Sequence, residues 1–124
     1  MTSSPQEFYL PFIKKEQVSK DAFAFYFKRE VNFDFLPGQY IRMHLPGTNI
    51  DGRGDKRPFT IASSPLEKEH IMIVTRIIQS AFKKRLSELS EGEKVKFYGP
   101  LGGFVLHEEE KNEQVFLAGG IGIT

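Results

Sequence analysis

The chain has 124 residues, with 17 basic and 16 acidic side chains and no cysteine. This length suffices for one domain with its own hydrophobic core, and the near-neutral charge argues against duplex DNA as a partner. Without cysteine the chain has no disulfide, thiolate zinc site or cysteine-ligated iron–sulfur cluster, so an organic cofactor would have to carry any electrons.

Alternation of apolar and polar residues dominates the chain and predicts strands. The apolar positions that alternate are, in chain order, Phe8, Leu10, Phe12, Phe23, Phe25, Phe27, Ile41, Met43, Leu45, Ile71, Ile73, Val95 and Phe97. Turn residues separate these segments. Pro37 and Gly38, for example, suit the two central positions of a type II turn.

Residues 80–92 break the alternation. Phe82, Leu86 and Leu89 recur at helical spacing, Ser80 is a suitable N-cap, and Gly92 stands just beyond the last predicted turn as a stop. Short alternating strands with a single helix are typical of a small closed barrel, in which closure removes exposed edges. We therefore predict a mainly β domain of five or six antiparallel strands with one short α-helix.

The stretch RPFTIASSP, residues 57–65, combines an arginine, an aromatic ring and a hydroxyl within four positions. Arg57 and Phe59 share one predicted strand face, and Thr60 takes the other. A guanidinium binds phosphate oxygens, an aromatic ring stacks on a planar ligand, and a hydroxyl reaches a heteroatom. The alternative is an edge strand with a solvated arginine, a core phenylalanine and a surface threonine.

Basic residues open the predicted helix. Lys83, Lys84 and Arg85 lie in its first turns, where the helix dipole already presents partial positive charge. That placement is unfavourable unless an anion binds there, and a phosphate would be held by free amides and ammonium groups. Alternatively, the long basic side chains extend into water.

The chain ends on QVFLAGGIGIT, in which glycines directly follow a predicted strand, residues 115–118. Glycines in this place let a backbone pass close to a phosphate. Together with PGQY (37–40), RPFT (57–60), the strand-to-helix stretch 73–86 and GPLG (99–102), the ordered set resembles the ferredoxin–NADP reductase family. The resemblance spans residues 6–124.

The resemblance implies a fold and a domain division. The family's FAD-binding domain is a six-stranded antiparallel Greek-key β-barrel with one short α-helix that caps the flavin pyrophosphate. On this basis residues 1–112 would form the FAD-binding barrel. Residues 113–124 would be the first strand and glycine turn of an NAD(P)-binding domain, cut at the boundary between the two domains.

The resemblance also implies roles for individual residues. Arg57 would bind the FAD pyrophosphate, Phe59 would lie against the isoalloxazine, and Thr60 would be the catalytic residue near the flavin N5 atom. The full set implied to bind flavin is Arg57, Pro58, Phe59, Thr60, Ile73, Val74, Thr75, Arg76, Ser80, Ala81, Phe82 and Lys83. The set implied to bind NAD(P)H is Gly119, Gly120, Gly122 and Thr124.

Three positions depart from the family pattern. Phe59 stands where the family often has a tyrosine, and it lacks the hydroxyl that could bond the ribityl chain. Ser80 takes a glycine place at the helix start. Lys83 takes a hydroxyl place, where it would neutralise a phosphate as a point charge. FAD remains the expected cofactor, and FMN is the alternative if the adenine end has no support.

The implied function is electron transfer from NAD(P)H through flavin to a one-electron carrier such as ferredoxin, flavodoxin or a haem protein, with the cofactor supplying the chemistry. This chain alone is expected to bind FAD at best moderately and to oxidise little NAD(P)H. We expect no bound metal and no nucleic-acid partner. We also expect no membrane span and a cytoplasmic location, because no signal peptide or long apolar run is present. Residues 115–118 would favour dimers through strand pairing. The alternatives are a non-catalytic barrel that binds nucleotide or single-stranded nucleic acid, and a docking remnant that has lost flavin.

Overall fold

The computed structural model describes residues 4–30 and 32–102; residues 103–124, which include the predicted glycine turn, lie outside the described part. The described elements are β1 (Gln6–Gln17), β2 (Ala22–Lys28), β3 (Tyr40–His44), a 3₁₀ turn (Asn49–Asp51), β4 (Lys56–Thr60), β5 (His70–Arg76), α1 (Ala81–Ser87) and β6 (Lys94–Leu101). The prediction of a mainly β domain with six strands and one short helix is confirmed.

All six strands belong to one antiparallel sheet in the order β4-β3-β6-β1-β2-β5. The connections between non-neighbouring strands fit the Greek-key barrel of the family. The sheet curls until its two edge strands meet at one end, where the Ala62 amide donates to the Met72 carbonyl at 2.7 Å. No continuous ladder joins β4 and β5 within the described residues, and we call the gap between these edge strands the seam.

The inward face of every strand packs into one core that is rich in phenylalanine. The rings of Phe27 and Phe97 meet edge to face, with 5.0 Å between their centroids, and neither ring is exposed. Burial of one such side chain contributes roughly 1.5–3 kcal/mol. The fully buried side chains of largest volume are Phe25, Phe27, Phe82, Phe97, Leu10, Ile41, Met43, Ile71, Ile73 and Leu86.

Helix α1 closes the end of the barrel at which β4 begins. Phe82 and Leu86 point into the core, and the Ser80 hydroxyl accepts a hydrogen bond from the Lys83 amide at 3.1 Å, as predicted for an N-cap. The predicted stop at Gly92 is wrong, because the helix already ends at Ser87. Gly92 has a φ of 88° and donates its amide to the Phe12 carbonyl, so it belongs to the turn that leads into β6.

The Pro37–Gly38 turn sets the start of β3. The Gln39 amide donates to the Leu36 carbonyl at 3.1 Å, and Gly38 has the positive φ of 91° that a type II turn requires. The Gln39 carbonyl in turn accepts the Ile61 amide at 3.0 Å. This bond ties the residue after Thr60 to the start of β3.

Candidate functional site

Strand β4 presents its two faces as the sequence predicts. Phe59 is 8% exposed and points inward, Arg57 is half-buried on the same face, and Pro58 and Thr60 are exposed on the other face. The Phe59 ring packs against Phe82, with 6.0 Å between the ring centroids. Phe59 is thus a core side chain in the described structure, and its contact with a flavin ring stays a prediction.

The Arg57 guanidinium is held in place before any ligand arrives. Its Cζ atom lies 4.9 Å from the Phe82 ring centroid, and its Nη1 atom donates to the carbonyls of Arg53, Gly54 and Lys56 at 2.9–3.1 Å. The Nε and Nη2 atoms make no hydrogen bond with any described residue. The guanidinium therefore keeps free donors for an anion.

Lys83 brings a second cation to the same place. Lys83 is half-buried as a residue, and its ammonium donates to the Arg76 carbonyl at 2.7 Å. Burial, together with the charge of the nearby Arg57, lowers the pKa of the Lys83 ammonium below the usual lysine value. Two like charges that face each other in a partly dry site are unfavourable unless an anion compensates them.

These side chains line a cleft of about 410 Å³ between β4, the end of β5 and the start of α1, which we call the cationic cleft. Its lining residues are Arg53, Arg57, Pro58, Phe59, Thr75, Ile78, Ser80 and Lys83. Three cations and no carboxylate are among them, and none of the three forms a salt bridge with a described residue. The charge and shape of the cleft fit a phosphate or pyrophosphate group.

A second cleft of about 780 Å³ continues from the first, with Arg53, Ile78 and Ser80 common to both; we call it the wide cleft. Its apolar side is formed by Ile50, Ile77 and Ile78, of which Ile50 is 85% exposed. Apolar side chains beside a phosphate-sized cleft suit the flat ring of a nucleotide base. Together the two clefts offer cations for a phosphate group and an apolar surface for an adjoining ring.

The first amides of α1 are not free. The Asp51 carboxylate accepts the Ala81 amide at 2.8 Å, and the Ser80 hydroxyl accepts the Lys83 amide. The Ala81 and Arg53 amide bonds lower the pKa of the Asp51 carboxyl below its usual range. Side chains rather than helix amides must therefore supply most of the binding to an anion here.

Strand β5 contributes less to the cationic cleft than the sequence suggests. Thr75 lines it, whereas Ile73 is fully buried in the core and Val74 is half-buried at its pairing position opposite Ala24. Arg76 offers its carbonyl to Lys83 and turns its exposed side chain toward Asp21, at 3.9 Å. Gly119, Gly120, Gly122 and Thr124 lie outside the described residues.

Sequence reasoning missed several residues at the site, including Ile50 and Ile77 of the wide cleft. Arg53 and Ile78 line both clefts, and Asp51 binds the helix start. Arg53 and Asp51 belong to the long polar loop before β4, in which no residue pattern indicates contact with α1. None of the helices in the described residues has the length and hydrophobicity to cross a bilayer.

The chain is similar in sequence to several known proteins. The profile of the oxidoreductase FAD-binding domain family matches residues 9–106. Methane monooxygenase component C of Methylosinus trichosporium is 32% identical over 95 residues, which cover 76% of this chain and 26% of that protein. A probable dihydroorotate dehydrogenase B (NAD(+)) electron transfer subunit of Pyrococcus horikoshii is 36% identical over 108 residues, which cover 86% of this chain and 36% of that protein.

Solved structures show the same fold. The cytochrome P450 reductase GcoB of Amycolatopsis superposes with a TM-score of 0.68 at 19% identity, over 83% of this chain and 30% of that chain. The chain thus spans about a quarter to a third of the length of the relatives that it matches. The family match covers nearly all of β1 to β6 and includes β4, the end of β5 and the start of α1, which line the cationic cleft. The chain belongs to the oxidoreductase FAD-binding domain family.

Proposed function

We propose that this chain is the flavin-binding part of an NAD(P)H-dependent reductase and that it holds FAD along the seam, with the pyrophosphate in the cationic cleft. The observation that carries the proposal is the set of three cations, Arg53, Arg57 and Lys83, in a cleft without a carboxylate. FAD is the cofactor of the family to which the chain belongs. The negative charge of its pyrophosphate would compensate the three cations of the cleft.

Arg57 is the main phosphate ligand in this proposal. Its free Nε and Nη2 donors can bind two oxygens of one phosphate, and the Phe82 ring and three carbonyls already fix the plane of the guanidinium. Lys83 adds a point charge from α1, and Arg53 closes the cleft from the loop side. Since these groups are oriented in advance, little side-chain entropy is lost on binding.

The flavin ring would then lie further along the seam, toward Thr60. Thr60 is exposed at the end of β4, where its hydroxyl can bond a heteroatom of the ring edge. Bound FAD would accept a hydride and release electrons one at a time, which is the chemistry of the cofactor. The chain's own part is to bind the phosphates, orient the ring and place the Thr60 hydroxyl.

The wide cleft supports FAD over FMN. FMN ends at its single phosphate, whereas FAD continues through a pyrophosphate into an adenosine. The apolar surface of Ile50, Ile77 and Ile78 directly beside the cationic cleft suits an adenine ring. We therefore expect the dinucleotide to bind more tightly than the mononucleotide.

The remaining parts of the proposal concern the longer protein. Residues 1–112 would form the FAD-binding domain, and residues 113–124, with Gly119, Gly120, Gly122 and Thr124, would begin an NAD(P)-binding domain. The names of the relatives, a monooxygenase component and an electron transfer subunit, support an electron carrier or oxygenase as the acceptor. The cytoplasmic location and a dimer through residues 115–118 stay predictions.

The test is a visible absorbance spectrum of the purified chain after incubation with FAD and gel filtration. The proposal predicts that yellow flavin co-elutes with the wild type and is lost from Arg57→Ala. Lys14→Ala is the matched control, because Lys14 lies over the Tyr26 ring on β1, outside both clefts, and its loss is expected to leave flavin bound. A wild-type chain that stays colourless with excess FAD would contradict the proposal and favour a binding module without flavin.

A further inference from the structure

Arg29, directly after β2, is a buried arginine that the site described above does not include. Its residue is 6% exposed, yet its guanidinium forms hydrogen bonds with backbone carbonyls of two separate loops. Nε and Nη2 donate to the Phe33 carbonyl at 2.9 and 2.8 Å, and Nη1 donates to the carbonyls of Pro65 and Glu67 at 2.8 and 2.6 Å. Burial of a charged group at this degree is unfavourable without such a complete set of partners.

Two further contacts fix the orientation of the guanidinium. Its Cζ atom lies 4.9 Å from the Phe35 ring centroid, and Nη2 lies 3.5 Å from the Asp34 carboxylate. The backbone amide of Arg29 also donates to the Glu69 carbonyl at 3.1 Å. Arg29 thus joins the loop before β3 to the connection between β4 and β5.

The connection that Arg29 holds, residues 61–69, begins directly after Thr60. It contains no helix or strand of its own, so its position depends on individual hydrogen bonds. Beside the Arg29 bonds, the bonds that tie it to the strands are the Ile61 amide to the Gln39 carbonyl at 3.0 Å, the Ala62 amide to the Met72 carbonyl at 2.7 Å, and the Met72 amide to the Ser63 hydroxyl at 3.0 Å. The last two bonds close the seam at the Thr60 end.

We propose that Arg29 is a positioning residue for the flavin ring: by holding residues 61–69 it keeps the seam closed at the Thr60 end and sets the place of the Thr60 hydroxyl. The inference rests on the proposed function. Without the guanidinium, the carbonyls of Phe33, Pro65 and Glu67 lose their donor, and residues 61–69 are free to move away from β5. The cationic cleft lies at the other end of the seam and keeps all its ligands.

Because Arg29 and the cationic cleft lie at opposite ends of the seam, loss of Arg29 should affect FAD and ADP differently. On the proposed function FAD would contact both ends of the seam, whereas ADP, which carries only the phosphates and adenosine, would contact the cationic cleft and the wide cleft. Loss of Arg29 should therefore weaken FAD binding and leave ADP binding unchanged. If Arg29 had only a structural role, its loss would weaken the binding of FAD and of ADP equally or not at all.

The test compares wild type, Arg29→Met and Arg29→Lys by calorimetric titration with FAD and with ADP. Val95→Ala is the matched control, because Val95 is a buried core residue at the start of β6, far from the Arg29 contacts. In Arg29→Met we expect FAD to bind at least about tenfold more weakly, while the affinity for ADP changes by less than about twofold. The affinity of Arg29→Lys for FAD should lie between those of wild type and Arg29→Met, since one ammonium cannot bind carbonyls on both loops.

Amide hydrogen exchange of the flavin-free chain gives a second readout. The Ala62 amide is expected to exchange at least about tenfold faster in Arg29→Met than in Val95→Ala, with β1 and β6 amides unchanged between them. If Arg29→Met does not fold, Arg29→Lys is measured in the same way. Equal Ala62 exchange and an equal FAD-to-ADP affinity ratio in the Arg29 and Val95 variants would overturn the inference. A wild type that binds neither ligand would overturn the proposed function, and the exchange rates would still decide whether Arg29 holds the seam.

Discussion

The Arg57 guanidinium lies over the Phe82 ring, with 4.9 Å between the Arg57 Cζ atom and the ring centroid. This contact joins the second residue of β4 to the buried face of α1, and it orients Arg57 toward Lys83 across the cationic cleft. A cation–π contact of this kind contributes about 0.5–1 kcal/mol at a partly exposed site. The cleft is therefore shaped for an anion before a ligand binds.

Arg57→Lys tests whether the directional donors of Arg57 matter or only its charge. An ammonium keeps the charge but cannot bind two phosphate oxygens in parallel or stack flat on Phe82. We expect the affinity for FAD to fall about tenfold in Arg57→Lys, and further in Arg57→Ala. The check is a titration that follows the quenching of flavin fluorescence. Equal affinity of wild type and Arg57→Lys would show that charge alone is sufficient.

Lys83 makes the affinity for FAD depend on pH at the alkaline end. Burial and the nearby Arg57 lower the pKa of the Lys83 ammonium in the flavin-free chain, and a bound phosphate would raise it again. FAD binding should therefore take up protons, and the affinity should fall as pH rises through the pKa of the flavin-free chain. Lys83→Met should flatten this dependence, whereas Lys14→Met, at an exposed lysine of β1, should preserve it. Calorimetry in buffers of different ionisation enthalpy measures the proton uptake.

The same shift has the opposite sign for the stability of the flavin-free chain. Because the pKa of Lys83 is lower in the folded chain than in the unfolded one, the unfolded chain binds more protons between the two values. The free energy of unfolding should therefore rise with pH across that window. Urea unfolding at several alkaline pH values tests this, and Lys83→Met should lose the rise. A free energy that falls in wild type across the window would contradict the assigned charge.

The Asp51 carboxylate should make the free energy of unfolding depend on pH under acidic conditions. Its carboxylate accepts the amides of Ala81 and Arg53, and these bonds lower its pKa. A carboxyl with a lowered folded-state pKa contributes stability above its unfolded-state pKa, and this contribution is lost as pH falls through the folded-state value. Asp51→Asn should therefore unfold with a weaker dependence on acid pH than wild type. Glu91→Gln, which removes an exposed carboxylate from a turn, should match wild type in the same urea titrations.

Ser80 should stabilise the helix that carries Lys83. Its hydroxyl is the N-cap acceptor for the Lys83 amide. Ser80→Ala is expected to lower the free energy of unfolding by about 1 kcal/mol, whereas Ser80→Gly should cost only a few tenths. Ser87→Ala, at the other end of α1, is the control and should cost less than Ser80→Ala. Equal losses at Ser80 and Ser87 would argue against a capping role.

The strands and the helix could be predicted because each depends on a local pattern. Phe23, Phe25 and Phe27 alternate with the smaller Ala24 and the half-buried Tyr26, and this period turns the three phenylalanines toward the core. Ser80 marks the start of α1 because a hydroxyl before a helical apolar pattern suits the free amides. The same reasoning misplaced the end of the helix. Gly92 is also the residue that a turn into β6 requires, and a sequence pattern does not distinguish these two uses.

The site could be predicted only where its residues lie close together in the chain. RPFT places Arg57 and Thr60 on one strand, and their division between two faces follows from the strand period. By contrast, Asp51 reaches Ala81 across 30 residues, and Arg29 reaches Pro65 across 36. Such contacts depend on how loops meet after the sheet has formed. The composition of the polar loop before β4 therefore gave no signal that Asp51 and Arg53 would contact the helix end.

The central claim is that the cationic cleft holds the pyrophosphate of FAD, and a crystal structure of the chain in complex with FAD tests it most directly. We predict phosphate oxygens within about 3 Å of the Arg57 guanidinium and the Lys83 ammonium, with the adenine against Ile50 and Ile78. A pyrophosphate bound elsewhere, such as beside Lys94 and Lys96 on the opposite sheet face, would contradict the claim.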